Sequence, residues 1–348
     1  MPSNRKFALY FAWDKRDEAG RPLDKLNNRF PALYELRRAA WPMLQRFKGG
    51  DQGVAGFLDR VVLGDFAAFL RIVAVETGVE PTIMAGRDLD GTAHSLYEAL
   101  AGDPHTLIIV SLDHFRAKRM PSTEDVAALR TFLARPDAIL VVCPHHYIGG
   151  DEDDEEEQDD GQLFQLRVQE HQHHGDTLVP GVQRLGGYAR AVLAALELPV
   201  ENLYGLRPDI RPDGQPAPLA VEHALDAEKF LGGDRSLPVR SFNAHPHLPH
   251  LRPIGPGIDA FRVLARQPIC HEATRHPERH PFTAEGNTHF NALLWAPPAG
   301  ERRGQVLVCD ATVWSAAFHG VDSLTNFWRN LAARPVGRVP VDGASGGG

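Results

Sequence analysis

The chain has 348 residues, which is enough for one large domain or two ordinary ones. Its apolar share of 43% is typical of a globular protein with a substantial core. The net charge of −8 argues against nucleic-acid or anionic-membrane partners, because binding to either needs basic patches. No apolar run approaches a transmembrane span, and FALYFAW is too short for a secretory signal.

Cysteine usage indicates a reducing compartment. The three cysteines are Cys143, Cys270 and Cys309; they form no CxxC pair and leave one thiol odd. A disulfide framework is therefore not expected, and the sequence favours a cytoplasmic protein.

Apolar runs alternate with amphipathic segments along the chain. TLIIVSL and AILVV are typical of buried strands, and between them STEDVAALRTFLARP is typical of a helix. Ser122 is its expected N-cap, with Asp125 three residues on, close to a capping box. Further strands are predicted at FALYFAW, PTIMAG and GQVLVC, and further helices at RFPALYELRRAAWPMLQRF, GFLDRVVLGDFAAFLRIVAVET, HSLYEAL, GVQRLGGYARAVLAALEL and VDSLTNFWRNLAAR.

This succession predicts an α/β fold with a mostly parallel, doubly wound, flavodoxin-like sheet and helices on both faces. Late in the chain, FRVLARQPI and NALLWAPP are predicted as antiparallel or edge strands. We expect a single domain over residues 1–337, with an irregular proline-rich insertion at about 199–256 and a flexible tail at 338–348.

An acidic loop is predicted at 150–161. Nine of the ten residues from Asp151 to Asp160 are acidic. A calcium site or a contact for a basic partner is one interpretation. A solvated loop is favoured instead, because like charges repel and the pattern of an EF-hand loop is missing.

Histidines and aspartates follow several predicted strands. Asp113 and His114 come after TLIIVSL, His145 and His146 come after AILVV, and Asp310 comes after GQVLVC. In an open α/β sheet the ligand binds outside the carboxyl ends of the strands, so we expect these side chains to converge. The alternatives are a turn or helix cap at Asp113, an N-cap at Asp310, and a packed role for one of the two adjacent histidines.

Two further histidine clusters extend the candidate site. His245 and His247 lie two apart in HPHLPH, a spacing that places two ligands on one face of an extended segment. His174 lies in HQHHGD. Proline-rich or solvated loops are the alternative for both clusters, since no compact motif such as HExxH is present.

Cys143 ends a predicted strand, as the nucleophile of an elbow does. Val142 stands where such a turn usually has glycine, and Pro144 lacks the backbone N–H that would form half of an oxyanion hole. A buried, unreactive cysteine is therefore favoured over a nucleophile.

The segments TLIIVSLDHF, STEDVAALRTFLARPDAILVVCPHH, GQVLVCDATVWSAAF and VDSLTNFWRNLA resemble the class I glutamine-amidotransferase-like superfamily, in particular its ThuA-like, non-amidotransferase members. The resemblance covers about half of the chain and implies the fold. The nucleophilic GxCxG of that superfamily is absent, with VVCPHH in its place, so glutaminase activity is not implied.

Together these features favour an enzyme, a metal-dependent hydrolase acting on a small-molecule amide, C–N or ester bond. The expected metal is divalent zinc, iron or manganese, held by His145, His146, His245 and His247. The expected catalytic residues are Asp113, His114, His174 and Asp310. The alternative is a non-catalytic amidotransferase-like module that binds a ligand or a protein. A homo-oligomer is compatible with either, and no organic cofactor site is expected, because no glycine-rich phosphate motif is present.

Overall fold

The computed structural model describes residues 2–14, 16, 63–88, 90–113, 119–148, 183–233, 236–245, 248–271 and 281–337. The predicted helix RFPALYELRRAAWPMLQRF, the acidic loop at 150–161 and the tail at 338–348 lie outside these residues. In the described part of the chain, no helix has the length and apolarity needed to cross a bilayer.

The described residues form strands and helices in alternation. The strands are β1 Phe7–Asp14, β2 Thr82–Arg87, β3 Thr106–Ser111, β4 Ile139–Pro144, β5 Tyr147–Ile148, β6 Gln183–Arg184, β7 Val200–Glu201, β8 Gly205–Leu206, β9 Ala220–Val221, β10 Leu248–Pro249, β11 Arg252–Pro253, β12 Arg262–Pro268, β13 His289–Ala296 and β14 Gln305–Cys309. The helices are α1 Leu63–Asp65, α2 Ala67–Thr77, α3 Leu96–Ala101, α4 Thr123–Leu133, α5 Gly187–Ala195, α6 Gly257–Ala260, α7 Pro281–Ala284 and α8 Gly320–Ala332, with a 3-10 helix at Ala311–Trp314.

One eight-stranded sheet organises the molecule, in the order β2-β1-β3-β4-β14-β13-β12-β9. The five strands from β2 to β14 are parallel to one another. Their spatial order is that of a flavodoxin-like sheet, with β14 as the fifth strand. The carboxyl ends of these five strands therefore share one edge of the sheet.

Helices cover both faces of the sheet, as the sequence predicts. Side chains alternate along β1, so that Phe7, Leu9 and Phe11 pack on one face while Ala8 and Tyr10 pack on the other. The first face carries the apolar residues of α2 and α8, and the second carries those of α3, α4 and α5. The central strands are buried on both sides, which is why they appear in the sequence as continuous apolar runs.

Local capping signals place several helix ends. Ser122 accepts a hydrogen bond from the backbone N–H of Asp125, and the Asp125 carboxylate accepts one from the N–H of Ser122, so the predicted capping box begins α4. Gly78 ends α2 with a left-handed φ of 73°, a conformation that glycine adopts without steric cost.

The late strands β12, β13 and β14 form the antiparallel part of the sheet, as predicted for the first two. The described residues of the proline-rich range 199–256 contain five strands of two residues each. Of these, β9 adds to the edge of the main sheet, and the others form the pairs β7–β11 and β8–β10. This region therefore adds one short strand to the main sheet and otherwise forms short, locally paired segments.

Candidate functional site

His145 and Asp310 meet at the carboxyl ends of two neighbouring parallel strands. His145 follows β4 and Asp310 follows β14, and the two strands pair in register. The Nδ1 atom of His145 lies 2.8 Å from Oδ1 of Asp310, and both side chains are buried. A carboxylate at this position orients the imidazole and favours the proton on Nδ1.

Asp310 also caps the 3-10 helix Ala311–Trp314. Its Oδ2 accepts a hydrogen bond of 2.9 Å from the backbone N–H of Thr312 and a second from the Thr312 hydroxyl. Burial by itself raises the pKa of Asp310, but the charge of His145 and the hydrogen bonds from His145 and Thr312 outweigh it. The pKa is therefore below its usual range. The N-cap alternative for Asp310 is confirmed, and the same carboxylate also contacts His145.

The adjacent residues His145 and His146 are both fully buried. A regular strand would direct them to opposite faces, but β4 ends at Pro144 and the two ring centroids lie 4.1 Å apart. The carbonyl of His145 accepts a hydrogen bond from Nδ2 of Asn202, and that of His146 accepts one of 3.2 Å from the N–H of Leu185. The turn after Pro144 thus places both imidazoles in the interior.

His245 approaches this pair but does not complete a metal centre. Its ring centroid lies 6.3 Å from that of His145 and 5.0 Å from that of Phe318. Within the described ranges, no group of three or more histidine, cysteine, aspartate or glutamate side chains is arranged to hold a metal ion. The donors present there do not fit the expected zinc, iron or manganese site, and the fourth expected ligand, His247, lies outside the described residues.

Asp113 lies at the end of β3 and holds the start of α5. Its Oδ2 accepts a hydrogen bond of 3.0 Å from the N–H of Tyr188, and its Oδ1 accepts one from the Ser111 hydroxyl. The Ser111 oxygen in turn accepts a hydrogen bond of 3.0 Å from the N–H of Ala189. Burial raises the pKa of Asp113 despite these hydrogen bonds. These contacts are those of the helix cap that the sequence offers as the alternative role of Asp113.

Gly186 allows α5 to lie directly against His145. It has a left-handed φ of 76°. A Cβ atom at this position would be 2.7 Å from the His145 carbonyl oxygen and 2.8 Å from the His145 nitrogen. A side chain cannot be placed there without shifting the backbone, so the close contact depends on glycine.

Cys143 is buried in the core beside the site. Its Sγ lies 3.7 Å from that of Cys309 and accepts a hydrogen bond of 3.3 Å from Nε1 of Trp314. Burial, followed by the proximity of Cys143, raises the pKa of Cys309 well above its usual range. Both thiols are free and buried, which confirms the burial expected for Cys143. Its lack of reactivity stays a prediction.

The structure thus brings four expected residues together, His145, His146, His245 and Asp310, while Asp113 serves the neighbouring helix. His114 and His174 lie outside the described residues.

Several residues that build the site carry no recognisable sequence signal. Asn202 holds the His145 carbonyl, while Arg190 donates a hydrogen bond of 3.0 Å to Asn202 Oδ1. The Arg190 guanidinium also lies 3.7 Å from the centre of the Tyr147 ring. Because these contacts join segments distant in sequence, no local pattern indicates them.

No protein-family model matches the chain, and no curated protein matches it. Among solved structures it is similar to the mmIFT52 N-terminal domain, with 12% sequence identity and a TM-score of 0.36 over 92% of each chain. Similarity at this level transfers neither fold nor function to this protein.

Proposed function

We propose that this protein is a hydrolase of a small-molecule amide, C–N or ester bond, with His145 as its acid–base group and Asp310 orienting it. The observation that carries the proposal is the 2.8 Å contact between His145 Nδ1 and Asp310 Oδ1. It places a carboxylate–imidazole pair at the carboxyl edge of a parallel sheet, where α/β proteins bind their ligands.

The pair supplies the elements of general acid–base hydrolysis. With Nδ1 bonded to Asp310, His145 Nε2 takes a proton from water as the water oxygen bonds to the substrate carbonyl carbon. The bond from that carbon to the leaving nitrogen or oxygen then breaks, and Nε2 returns the proton to the leaving group. Asp310 stabilises the imidazolium formed in between, and its depressed pKa keeps it ionised for this role.

A substrate must be able to reach Nε2 of His145 for this histidine to act as the acid–base group. His145 has no exposed surface, so contact between a substrate and Nε2 requires part of the surrounding structure to open. A reducing, cytoplasmic setting is part of the same proposal, because Cys143 and Cys309 are adjacent free thiols.

The sequence predicts a bound metal, but the proposed hydrolysis is written without one, because the described donors do not fit a metal site. It stays a prediction with its own test. Elemental analysis that finds stoichiometric zinc, iron or manganese, lost in His145→Ala, would confirm it. Protein without metal, and without a thermal shift on adding these ions, would contradict it.

A non-catalytic binding module is the second candidate, and the burial of the polar groups favours it. Asp113 caps α5, Asp310 caps a 3-10 helix, and His145, His146 and His245 are all buried. In such a module these side chains stabilise the sheet edge, and ligand contacts lie elsewhere.

Hydrolysis of a panel of p-nitrophenyl esters and p-nitroanilides by the full chain separates the two candidates. The hydrolase proposal expects turnover that falls about 100-fold or more in His145→Gln. His223→Gln, an exposed histidine, is the matched control and keeps wild-type rates. Absence of turnover, or equal turnover in both variants with their folds intact by circular dichroism, would overturn the proposal and favour the binding module.

A further inference from the structure

Two buried carboxamide side chains have oxygen atoms that accept no hydrogen bond. Asn243 and Gln267 both have no exposed surface. Among the residues that the structure describes, none donates a hydrogen bond to Asn243 Oδ1 or to Gln267 Oε1. Buried polar atoms in folded proteins usually have a partner, and an acceptor that is buried without one destabilises the fold. The two oxygens are therefore acceptors that a ligand can use.

The nitrogen atoms of these side chains determine which way the oxygens point. Asn243 Nδ2 donates to the carbonyl of Thr312 at 2.9 Å, and Gln267 Nε2 donates to the carbonyl of Asn243 at 3.1 Å. Rotating either amide by half a turn would place its oxygen against a carbonyl oxygen, so these bonds assign both orientations. The second bond also joins Asn243 and Gln267 into one group.

Both residues lie at the edge of the sheet that carries His145 and Asp310. Gln267 precedes the last residue of β12. Because β12 and β14 are both antiparallel to β13, they run in the same direction, and the carboxyl end of β12 lies at that edge. Asn243 reaches the edge through its bond to Thr312, whose backbone N–H and hydroxyl both donate to Asp310.

The segment that carries Asn243 continues towards His145. The backbone N–H of Ala244 donates to the carbonyl of Phe318 at 3.0 Å. The ring centroid of the next residue, His245, lies 5.0 Å from that of Phe318 and 6.3 Å from that of His145. The two carboxamide oxygens therefore belong to residues that adjoin the proposed hydrolytic pair.

The hydrogen-bonding capacity of the two oxygens indicates the chemistry of the ligand. Both are uncharged acceptors, so they match a group with two N–H donors, whereas a carboxylate or a phosphate would place acceptors against acceptors. A buried cation is costly without a carboxylate partner, and Asp310 is already bonded to His145 and Thr312. The uncharged NH₂ of a primary carboxamide fits better than an ammonium group.

We propose that Asn243 and Gln267 bind the NH₂ group of a primary carboxamide substrate, an inference that rests on the proposed function of His145. One N–H of the substrate donates to Asn243 Oδ1 and the other to Gln267 Oε1. The water oxygen bonds to the carbonyl carbon, the C–N bond breaks, and His145 Nε2 passes the proton of the water to the leaving nitrogen. The products are a carboxylic acid and ammonia.

Propionamide and 2-butanone test this assignment, because they have the same shape and differ only in the NH₂ or methyl group on the carbonyl. In the ketone complex both buried acceptors stay without donors, and a site built for an N–H discriminates against such an analogue. Titration of the full chain, followed by protein NMR, should show saturable binding of propionamide that is at least tenfold tighter than that of butanone. Equal affinities, or no saturable binding of propionamide, would overturn the proposal.

Ammonia release from propionamide is measured separately, so that the two proposals fail in different ways. Selective binding with no release of ammonia would contradict the hydrolysis by His145 while the carboxamide subsite stands. Release of ammonia without a preference for propionamide over butanone in binding would contradict the subsite.

The variant Gln267→Met keeps the length of the side chain but removes its oxygen, so propionamide affinity should fall about tenfold. Gln305→Met is the matched control, because Gln305 lies at the amino end of β14 and its Oε1 already accepts a hydrogen bond of 2.9 Å from Trp295 Nε1. It should bind propionamide as the wild type does. No loss in Gln267→Met, or an equal loss in both variants, would overturn the assignment.

If Gln267→Met does not fold, nitrogen-15 spectra of the wild type decide instead. Propionamide must shift the side-chain amide signals of Asn243 and Gln267, because its N–H groups bond to the oxygens of the same amides. Unchanged signals at saturating propionamide would contradict the assignment.

Discussion

Nδ1 of His145 lies 2.8 Å from Oδ1 of Asp310, although 165 residues separate the two in the chain. The contact joins the ends of β4 and β14, which are parallel neighbours in the sheet. Because Asp310 also caps the following 3-10 helix, one carboxylate links the imidazole to the local backbone. Loss of that carboxylate should therefore affect both the histidine and the turn after β14.

Asp113→Ala should destabilise the protein through the start of α5. The change removes the acceptor for the N–H of Tyr188 and the partner of the Ser111 hydroxyl. We expect a loss of about 1–2 kcal/mol in the free energy of unfolding, measured by urea denaturation, and a smaller loss for Asp113→Asn. An Asp113→Asn protein with wild-type stability but no hydrolysis would instead support the catalytic role predicted from the sequence.

Gly186→Ala should be more costly than an alanine at another left-handed glycine. Gly186 and Gly286 both have positive φ, but a Cβ overlaps the His145 backbone at Gly186 and meets nothing within 4 Å at Gly286. We expect Gly186→Ala to lower the free energy of unfolding by about 1–3 kcal/mol more than Gly286→Ala. Equal losses in thermal or urea unfolding would show that α5 does not pack against His145 as described.

Features that depend on residues close together in the chain can be predicted from the sequence. The capping box of Ser122 and Asp125 and the apolar runs of the central strands are local patterns, and the structure confirms them. The antiparallel pairing of β12 and β13 also agrees with its prediction.

Only part of the candidate site can be predicted from the sequence. His145 and Asp310 each follow a predicted strand, and the carboxyl ends of parallel strands share one edge of the sheet, so their proximity is predictable. The contact of Asp113 with α5 depends on Tyr188, 75 residues away, and the support of His145 depends on Asn202. Such contacts follow from chain topology, which spacing within a motif does not report.

Thiol labelling tests the packing of the three cysteines. Cys143 and Cys309 are buried, whereas Cys270 is partly exposed. Iodoacetamide should modify Cys270 in native protein, and the other two after denaturation, as read by peptide mass spectrometry. Rapid modification of Cys143 in the native state would contradict this packing and revive the thiol-nucleophile interpretation.

His250 should make stability depend on pH. Its folded-state pKa of about 4 lies below the unfolded value of about 6.5, so between these values the unfolded chain binds more protons. The free energy of unfolding should then fall as pH decreases through this window, by up to about 3 kcal/mol from this group. His250→Gln should flatten the slope in urea titrations, and an unchanged slope would exclude a buried neutral His250.

The central claim is that Asp310 orients His145 for acid–base chemistry, and the most direct test is kcat/KM of Asp310→Asn on an ester that the wild type hydrolyses. Asparagine preserves an acceptor for Thr312 but removes the charge that stabilises the imidazolium and selects its tautomer. The account predicts a fall of about 100-fold or more with the fold retained by circular dichroism. A folded Asp310→Asn protein within about threefold of the wild-type kcat/KM would contradict it.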